Sequence, residues 1–123
     1  MTELMFRDVT DQIIGAAFEV YKILGYGFLE KVYQEAMIVE LGLRGLKAED
    51  EHPITVFFKG AQVGTYEADL LVEECVIVEL KIAKEYQPLD EAQLLNELKA
   101  TGIKVGLLIN FGRLKVDFKR FAY

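Results

Sequence analysis

The stretch from Tyr66 to Lys84, YEADLLVEECVIVELKIAK, constrains the fold more than any other part of the chain. Its pattern predicts two strands joined by a tight acidic turn at Glu73 and Glu74. The first strand carries Asp69 among apolar residues, and the second is an apolar run, 75–78, that ends in Glu79-Leu80-Lys81. Burying a charge costs several kcal/mol unless the charge is paired or bound to a metal. The charges at the end of this core strand therefore need a structural or chemical partner.

The length of the turn decides which side chains of the two strands meet. A two-residue turn would place Asp69 and Glu79 on opposite faces of the hairpin. A three-residue loop, 73–75, would instead place Asp69 opposite Glu79, and Glu67 opposite Lys81. A slip of one residue turns every side chain to the other face. We predict the three-residue loop, or a bulge with the same effect, because this register also brings the apolar residues of the two strands together on the other face.

Two opposed carboxylates repel each other unless a proton or a cation lies between them. With one His and one Cys in the chain, a cation would be held by oxygen ligands, which favours Mg²⁺ or Mn²⁺. Asp69, Glu79 and the backbone carbonyl of Leu80 are the predicted ligands. Lys81 would then stand beside the cation, where it could orient a water molecule or stabilise charge on a phosphate. A surface ion pair of Lys81 with Glu79 or Glu67 fits the same spacing.

Hydrophobic periodicity and turn residues predict the remaining elements. Asp90 is the predicted N-cap of the third helix, after a loop from Glu85 to Leu89. The order of elements predicts an α/β fold, a mixed β-sheet flanked by helices, in one domain spanning residues 1–123. The strand–helix–strand step through the third helix predicts a parallel pair of strands with a right-handed crossover. The predicted helices cover about 8–24, 28–44 and 90–101, and the predicted strands about 46–50, 53–59, 62–72, 75–82, 104–110 and 114–121.

Charge and composition limit the partners. The net charge of −6 argues against a broad phosphate-binding surface, although residues 102–123 carry a net +4 and the remainder −10. The basic C-terminal strand could meet a polyanion, or it could protect a sheet edge from aggregation. The lone Cys75 indicates no disulfide framework, the N-terminus lacks a signal-peptide pattern, and no apolar run is long enough to span a membrane. We therefore expect a cytoplasmic protein.

Three segments together resemble a known group of proteins. Asp69, nine intervening residues and Glu79-Leu80-Lys81 resemble the signature of the PD-(D/E)XK nuclease superfamily. The segment Gly27–Tyr33, GFLEKVY, matches the motif that names the GxxExxY family, which is assigned to that superfamily. The segment Ala92–Gly112, AQLLNELKATGIKVGLLINFG, also looks like that family. The resemblance covers nearly the whole chain and implies a restriction-endonuclease-like core.

The resemblance also implies roles for individual residues. Asp69 and Glu79 would be the metal ligands, and Lys81 would be the catalytic lysine. Glu30 corresponds to a helix carboxylate that approaches the metal site. Gln93 corresponds to a glutamine that supports the site in some branches of the superfamily.

The chain departs from the family pattern at two positions. Glu97 stands where a Tyr commonly follows the glutamine, and Tyr26 stands where the glycine link usually contains Pro. Glu97 would either add negative charge near the site or point to solvent.

Two main hypotheses for function follow from these observations. The first is a magnesium-dependent phosphodiesterase acting on DNA or RNA, for which a homodimer or a basic partner could supply the binding groove. The second is a catalytically inactive interaction module that uses the same fold and self-associates. Hydrolysis of a small phosphate compound is a third possibility.

Overall fold

The computed structural model describes residues 6–84 and 87–123. Their order is two helices, three strands, a third helix and two further strands. No helix among them is long and apolar enough to cross a membrane. The elements are α1 (Arg7–Leu24), α2 (Glu30–Leu43), β1 (Ala48–Phe58), β2 (Ala61–Val72), β3 (Val76–Lys81), α3 (Pro88–Thr101), β4 (Val105–Phe111) and β5 (Val116–Ala122).

The five strands form one mixed sheet in the order β1-β2-β3-β4-β5. Strands β3 and β4 run parallel, from the pair Val76–Val105 to the pair Lys81–Asn110, and α3 connects them. The other three neighbouring pairs are antiparallel. The predicted α/β class, the mixed sheet and the parallel pair are therefore confirmed.

Helices cover both faces of the sheet. One buried cluster joins α1 and α2 to the sheet, and in it Met37 of α2 packs with Val78 and Leu80 of β3. The other joins α3 to the opposite face, where Leu94 packs with Ile77. Alternate residues of β3 thus enter different clusters, as a central strand requires. Every residue of β4 is buried too, so this strand, an uninterrupted apolar run in the sequence apart from Gly106 and Asn110, is also covered on both faces.

The hairpin between β2 and β3 has the predicted three-residue loop. Glu73 and Glu74 have φ angles of 52° and 57°, and the Cys75 N–H donates to the Val72 carbonyl at 3.0 Å. Pairing then runs from Val72–Val76 to Leu70–Val78. This is the register that we predicted from the sequence.

Two predicted boundaries are wrong. The predicted strands 46–50 and 53–59 form the single strand β1, because Pro53 lies in an edge strand, where a missing N–H is tolerated. Helix α3 begins at Pro88 with Gln87 at the N-cap, because proline is well suited to the first helical position. Asp90 is therefore in the first turn of the helix and is not its cap. Of the predicted loop, residues 85 and 86 lie outside the described residues.

Candidate functional site

Strand β2 is irregular at Asp69. Ala68 packs in the cluster on the α3 side, whereas Leu70 packs in the cluster on the α1–α2 side. In a regular strand, residues two apart face the same way, so Ala68 and Leu70 would lie on one face. The pairing of β1 with β2 skips Asp69 and its counterpart Glu51, which has a φ angle of 51°. Asp69 therefore stands at a break in the alternation of the strand.

Two hydrogen bonds hold Asp69 at this break. The Gln34 side chain of α2 donates from Nε2 to the Asp69 backbone carbonyl at 2.9 Å. The Leu80 backbone N–H of β3 donates to Asp69 Oδ2 at 2.7 Å. The pairing of β2 with β3 ends at Leu70–Val78, one step before the predicted pair of Asp69 and Glu79. A regular pair of Asp69 and Glu79 does not form, because Asp69 Oδ2 accepts the hydrogen bond of the Leu80 N–H. An irregularity at Asp69, the alternative that the sequence left open, takes its place.

The carboxylates of Asp69 and Glu79 nevertheless meet. Glu79 is only 5% exposed, and its side chain lies within hydrogen-bonding reach of both Glu97 and Asp69. Burial, the hydrogen bond with Glu97 and the negative charge of Asp69 raise the pKa of Glu79 from 4.5 to about 11. In the absence of a cation, Glu79 is therefore protonated at neutral pH.

Lys81 lies on the same side of β3 as Glu79, because the two residues are two apart on a strand. Its Nζ is 3.8 Å from Asp90 Oδ1 in the first turn of α3. The sequence suggested an ion pair of Lys81 with Glu79 or Glu67, and the structure gives Asp90 as the partner instead. Helix α3 thus supplies the counter-charge that holds the lysine.

Glu30, the first residue of α2, approaches the same place from the other layer. Burial and the negative charge of Asp69 raise the pKa of Glu30 above 4.5, and the charge of Asp90 adds to this, whereas the charge of Lys81 opposes the rise. These interactions require that Glu30 lies near both strands. The four residues that the sequence singled out, Glu30, Asp69, Glu79 and Lys81, therefore come together.

Gln93 and Glu97 complete the α3 side of the site. Gln93 Nε2 donates to Glu97 Oε2 at 3.3 Å, and Glu97 is only 2% exposed. Of the two orientations left open by the sequence, the inward one is correct. Gln93 reaches the acidic cluster through Glu97, and its supporting role stays a prediction.

Asn110 fixes the chain just after Lys81. Its side chain accepts a hydrogen bond from the Ala83 N–H at 2.9 Å and donates one to the Ala83 carbonyl at 2.8 Å. Asn110 is also the parallel neighbour of Lys81 in β4. The backbone at Lys81 is therefore held by its pairing with β4 and by the two hydrogen bonds at Ala83.

The sequence did not identify Gln34 and Asp90 as members of the site, and it left Glu97 open between the site and solvent. A signal existed for two of them. Gln34 is four residues after Glu30, and Glu97 four residues after Gln93, so each pair shares a helix face. Asp90 carried no such signal, because its position near Lys81 depends on how α3 packs against β3.

The fit of a cation can be judged from the unpaired oxygens. Glu79 Oε2 and Glu97 Oε1 are buried without a hydrogen-bond partner. No group of three or more His, Cys, Asp or Glu side chains is arranged to hold a metal ion within the described ranges. Mg²⁺ is usually bound through only one or two carboxylates, with water as the other ligands. Asp69 and Glu79 thus fit such an ion, which would replace the proton on Glu79.

Comparison with known proteins agrees with this fold. The family model of the PD-(D/E)XK nuclease superfamily matches residues 7–121. A restriction-endonuclease-like α/β domain with paired acids and a lysine at the end of a sheet defines this class of protein. The chain therefore belongs to the PD-(D/E)XK nuclease superfamily, whose nucleases generally use divalent metal ions.

Solved structures with related folds are distant in sequence. The crystal structure of SSO0001 has a TM-score of 0.59 and 16% identity, over 76% of this chain and 50% of that one. This chain thus spans half the length of that protein. An alkaline exonuclease from Laribacter hongkongensis, LHK-Exo, has a TM-score of 0.49 and 13% identity, over 92% and 81% of the two chains. A search of curated proteins gave no match.

Proposed function

We propose that this chain is a divalent-metal-dependent nuclease that hydrolyses phosphodiester bonds in DNA or RNA, and that it is a member of the GxxExxY group. The observation that carries the proposal is the contact between Asp69 and Glu79, with an unpaired, buried Glu79 oxygen and Lys81 beside it. Superfamily membership makes nucleic acid the expected substrate.

Asp69 and Glu79, with the Leu80 carbonyl, are the proposed ligands of Mg²⁺ or Mn²⁺. When bound, such a cation neutralises the carboxylates and acts as a Lewis acid toward the phosphate. The hydrogen bond from the Leu80 N–H directs one oxygen of Asp69 along β3, and Gln34 fixes the backbone behind it. The ligands are thus held in place before any substrate arrives, as effective catalytic sites require.

Lys81 is the proposed catalytic lysine. Its ammonium group can donate hydrogen bonds to the attacking water and to the phosphate, where negative charge develops. Asp90 holds the group at the site, and Asn110 holds the backbone that follows it. Burial and the negative charge of Asp69 raise the pKa of Glu30, so this side chain holds a proton more readily than an exposed glutamate does. Gln93 is proposed to support the site through Glu97.

Cleavage of plasmid DNA, single-stranded DNA and RNA in Mg²⁺ or Mn²⁺ tests this function. Lys81→Ala and Asp69→Asn should each lower the rate by about 100-fold or more, because each removes a group that acts on the developing charge. Lys22→Ala and Asp11→Asn make the same chemical changes on the exposed surface of α1 and should leave the rate unchanged. Equal activity in all five proteins would indicate a contaminating nuclease and overturn the proposal.

Calorimetry separates this function from the inactive interaction module. The nuclease proposal requires Mg²⁺ or Mn²⁺ binding at millimolar concentration that Asp69→Asn abolishes. If the wild-type protein binds neither ion and Asp69→Asn makes it more stable, the acids are a relict and the module is supported.

A further inference from the structure

A cavity of about 140 Å³ lies between α3 and the strands β1 and β2. Its apolar wall includes Ile54, Val56 and Ala92, and Glu97 is also part of its lining. Glu97 contacts Glu79, so the cavity opens directly beside the acidic site. The proposed nuclease chemistry does not use this space.

The volume and wall of the cavity suit one aromatic ring. An engineered protein cavity of about 150 Å³ binds benzene, so a cavity of this size holds a six-membered ring. Tyr66 lines the cavity and is 51% exposed, which leaves its ring face available to a ligand. Aromatic side chains in such positions stack on the bases of single-stranded nucleic acids.

The polar groups of the cavity suit the edge of a base. The side-chain amides of Gln93 and Asn96 line it, and each offers both a donor and an acceptor. Gln93 uses one N–H on Glu97, while Asn96 forms no side-chain hydrogen bond with any described residue. The inner residue, Glu97, also carries the buried Oε1 that lacks a partner. Bases held in enzyme pockets are read by such hydrogen bonds together with stacking.

A groove continues from the cavity and would allow a strand to leave it. Tyr66 and Asn96 line both, and the groove then passes Phe57 and Lys99. Lys99 is exposed and forms no ion pair with the part of the chain that the structure describes. Its ammonium group is therefore available to a backbone phosphate.

We propose that the cavity binds the pyrimidine base of an unpaired nucleotide, so that the substrate of the site is single-stranded nucleic acid. The single ring of a pyrimidine matches the six-membered ring that a cavity of this size is known to hold. A base in the cavity would position its nucleotide against Glu79 and Lys81. This inference rests on the proposed nuclease function, because it assigns the substrate of that site.

Nuclear magnetic resonance of the full chain tests the pocket. Thymidine and uridine 5′-monophosphate, titrated in EDTA, should shift the side-chain amide resonances of Gln93 and Asn96 in a saturable manner. Deoxyribose 5-phosphate, which lacks the base, should not shift them. Tyr66→Ala should weaken nucleotide binding by about 5-fold to 100-fold, in line with the loss of one base–aromatic stack. Tyr26→Ala removes a similarly exposed tyrosine that lines neither the cavity nor the groove, and it should leave binding unchanged.

Several results would overturn the pocket. One is an absence of resonance shifts at tens-of-millimolar nucleotide. Another is that deoxyribose 5-phosphate or adenosine 5′-monophosphate binds as tightly as the pyrimidine nucleotides, or that adenosine 5′-monophosphate binds more tightly. A third is that Tyr66→Ala and Tyr26→Ala bind nucleotide with equal affinity. The comparison of nucleotide with sugar phosphate uses the wild-type protein and does not depend on whether a variant folds. EDTA removes divalent ions, so the binding experiment does not depend on nuclease activity. If the protein binds the base but cleaves nothing in the metal-dependent assay, the nuclease proposal alone is overturned. If it cleaves nucleic acid but does not bind the base, the pocket proposal alone is overturned.

Discussion

Replacing Glu79 with glutamine should stabilise the metal-free protein, and the gain should increase with pH. Burial and the neighbouring acids raise the pKa of Glu79 from 4.5 to about 11 in the folded state. The folded chain therefore keeps a proton that the unfolded chain releases above pH 4.5. The stability associated with this raised pKa is fully present below pH 4.5 and is lost as the pH rises toward the folded pKa.

The size of the effect follows from proton linkage. When only the folded state holds a given proton, the free energy of unfolding falls by up to about 1.4 kcal/mol for each unit by which the pH rises. Between pH 5 and pH 7.5 the wild-type protein should lose at most about 3 kcal/mol through this residue. Glutamine has nearly the same shape and carries no charge at either pH, so Glu79→Gln should lack this loss.

Urea unfolding in EDTA at the two pH values measures the difference. The free energy of unfolding should fall more steeply with pH for the wild-type protein than for Glu79→Gln. Glu74→Gln changes an exposed acid in the turn between β2 and β3 and should follow the wild-type slope. Equal slopes for the wild-type protein and Glu79→Gln would refute the conclusion that Glu79 is held protonated by its surroundings.

The same variant tests the role of a cation. Ligand binding to the folded state alone stabilises it by about 2.7 kcal/mol at a concentration 100 times Kd. Saturating Mg²⁺ should therefore stabilise the wild-type protein and should not stabilise Glu79→Gln. Equal stabilisation of both would mean that the ion binds elsewhere.

Three further substitutions test the surroundings of the site. Gln34→Ala should cost about 1–3 kcal/mol in urea unfolding and weaken Mg²⁺ binding, because the Asp69 carbonyl loses its donor; unchanged Mg²⁺ affinity would argue against a positioning role. Tyr33→Phe should cost about 1 kcal/mol, because it removes a buried hydroxyl that donates to the Gly25 carbonyl at 2.5 Å, and it should leave Mg²⁺ affinity unchanged. Gly106→Ala should cost about 1–3 kcal/mol, because its Cβ would lie 2.9 Å from Leu94; an unaltered melting temperature would contradict this tight packing.

The register of the central hairpin could be predicted because its determinants are local. The acidic turn limits the hairpin to a few pairings, and the three-residue loop pairs Leu70 with Val78 and Val72 with Val76 on one apolar face. The strand β4 could be predicted for the same reason, since an uninterrupted apolar run fits a strand covered on both faces. The prediction of two strands in place of β1 was wrong, because the sequence around Pro53 was interpreted as a break between strands. A proline ends a central strand but not an edge strand, and edge position is a tertiary property.

The candidate site was only partly predictable because half of it comes from long-range packing. Asp69, Glu79 and Lys81 are encoded within one hairpin, where the period of a strand shows which residues can meet. Glu97 and Gln34 lie on helices, and a helical period shows which residues share a face but not what that face contacts. The sequence left Glu97 open between the site and solvent, and in the fold Glu97 is buried in contact with Glu79.

The irregularity at Asp69 is what lets the two layers of the fold share one site. Counting from Ala68, regular alternation would turn Asp69 toward α1 and α2; counting from Leu71, it would turn Asp69 toward α3. Because both cannot hold, the residue lies between the two orientations. There its charge acts on Glu30 from one helical layer, and its carboxylate meets Glu79 on the face that α3 covers. In a regular strand, the Asp69 side chain would face one helical layer only, and the acidic cluster could not have formed.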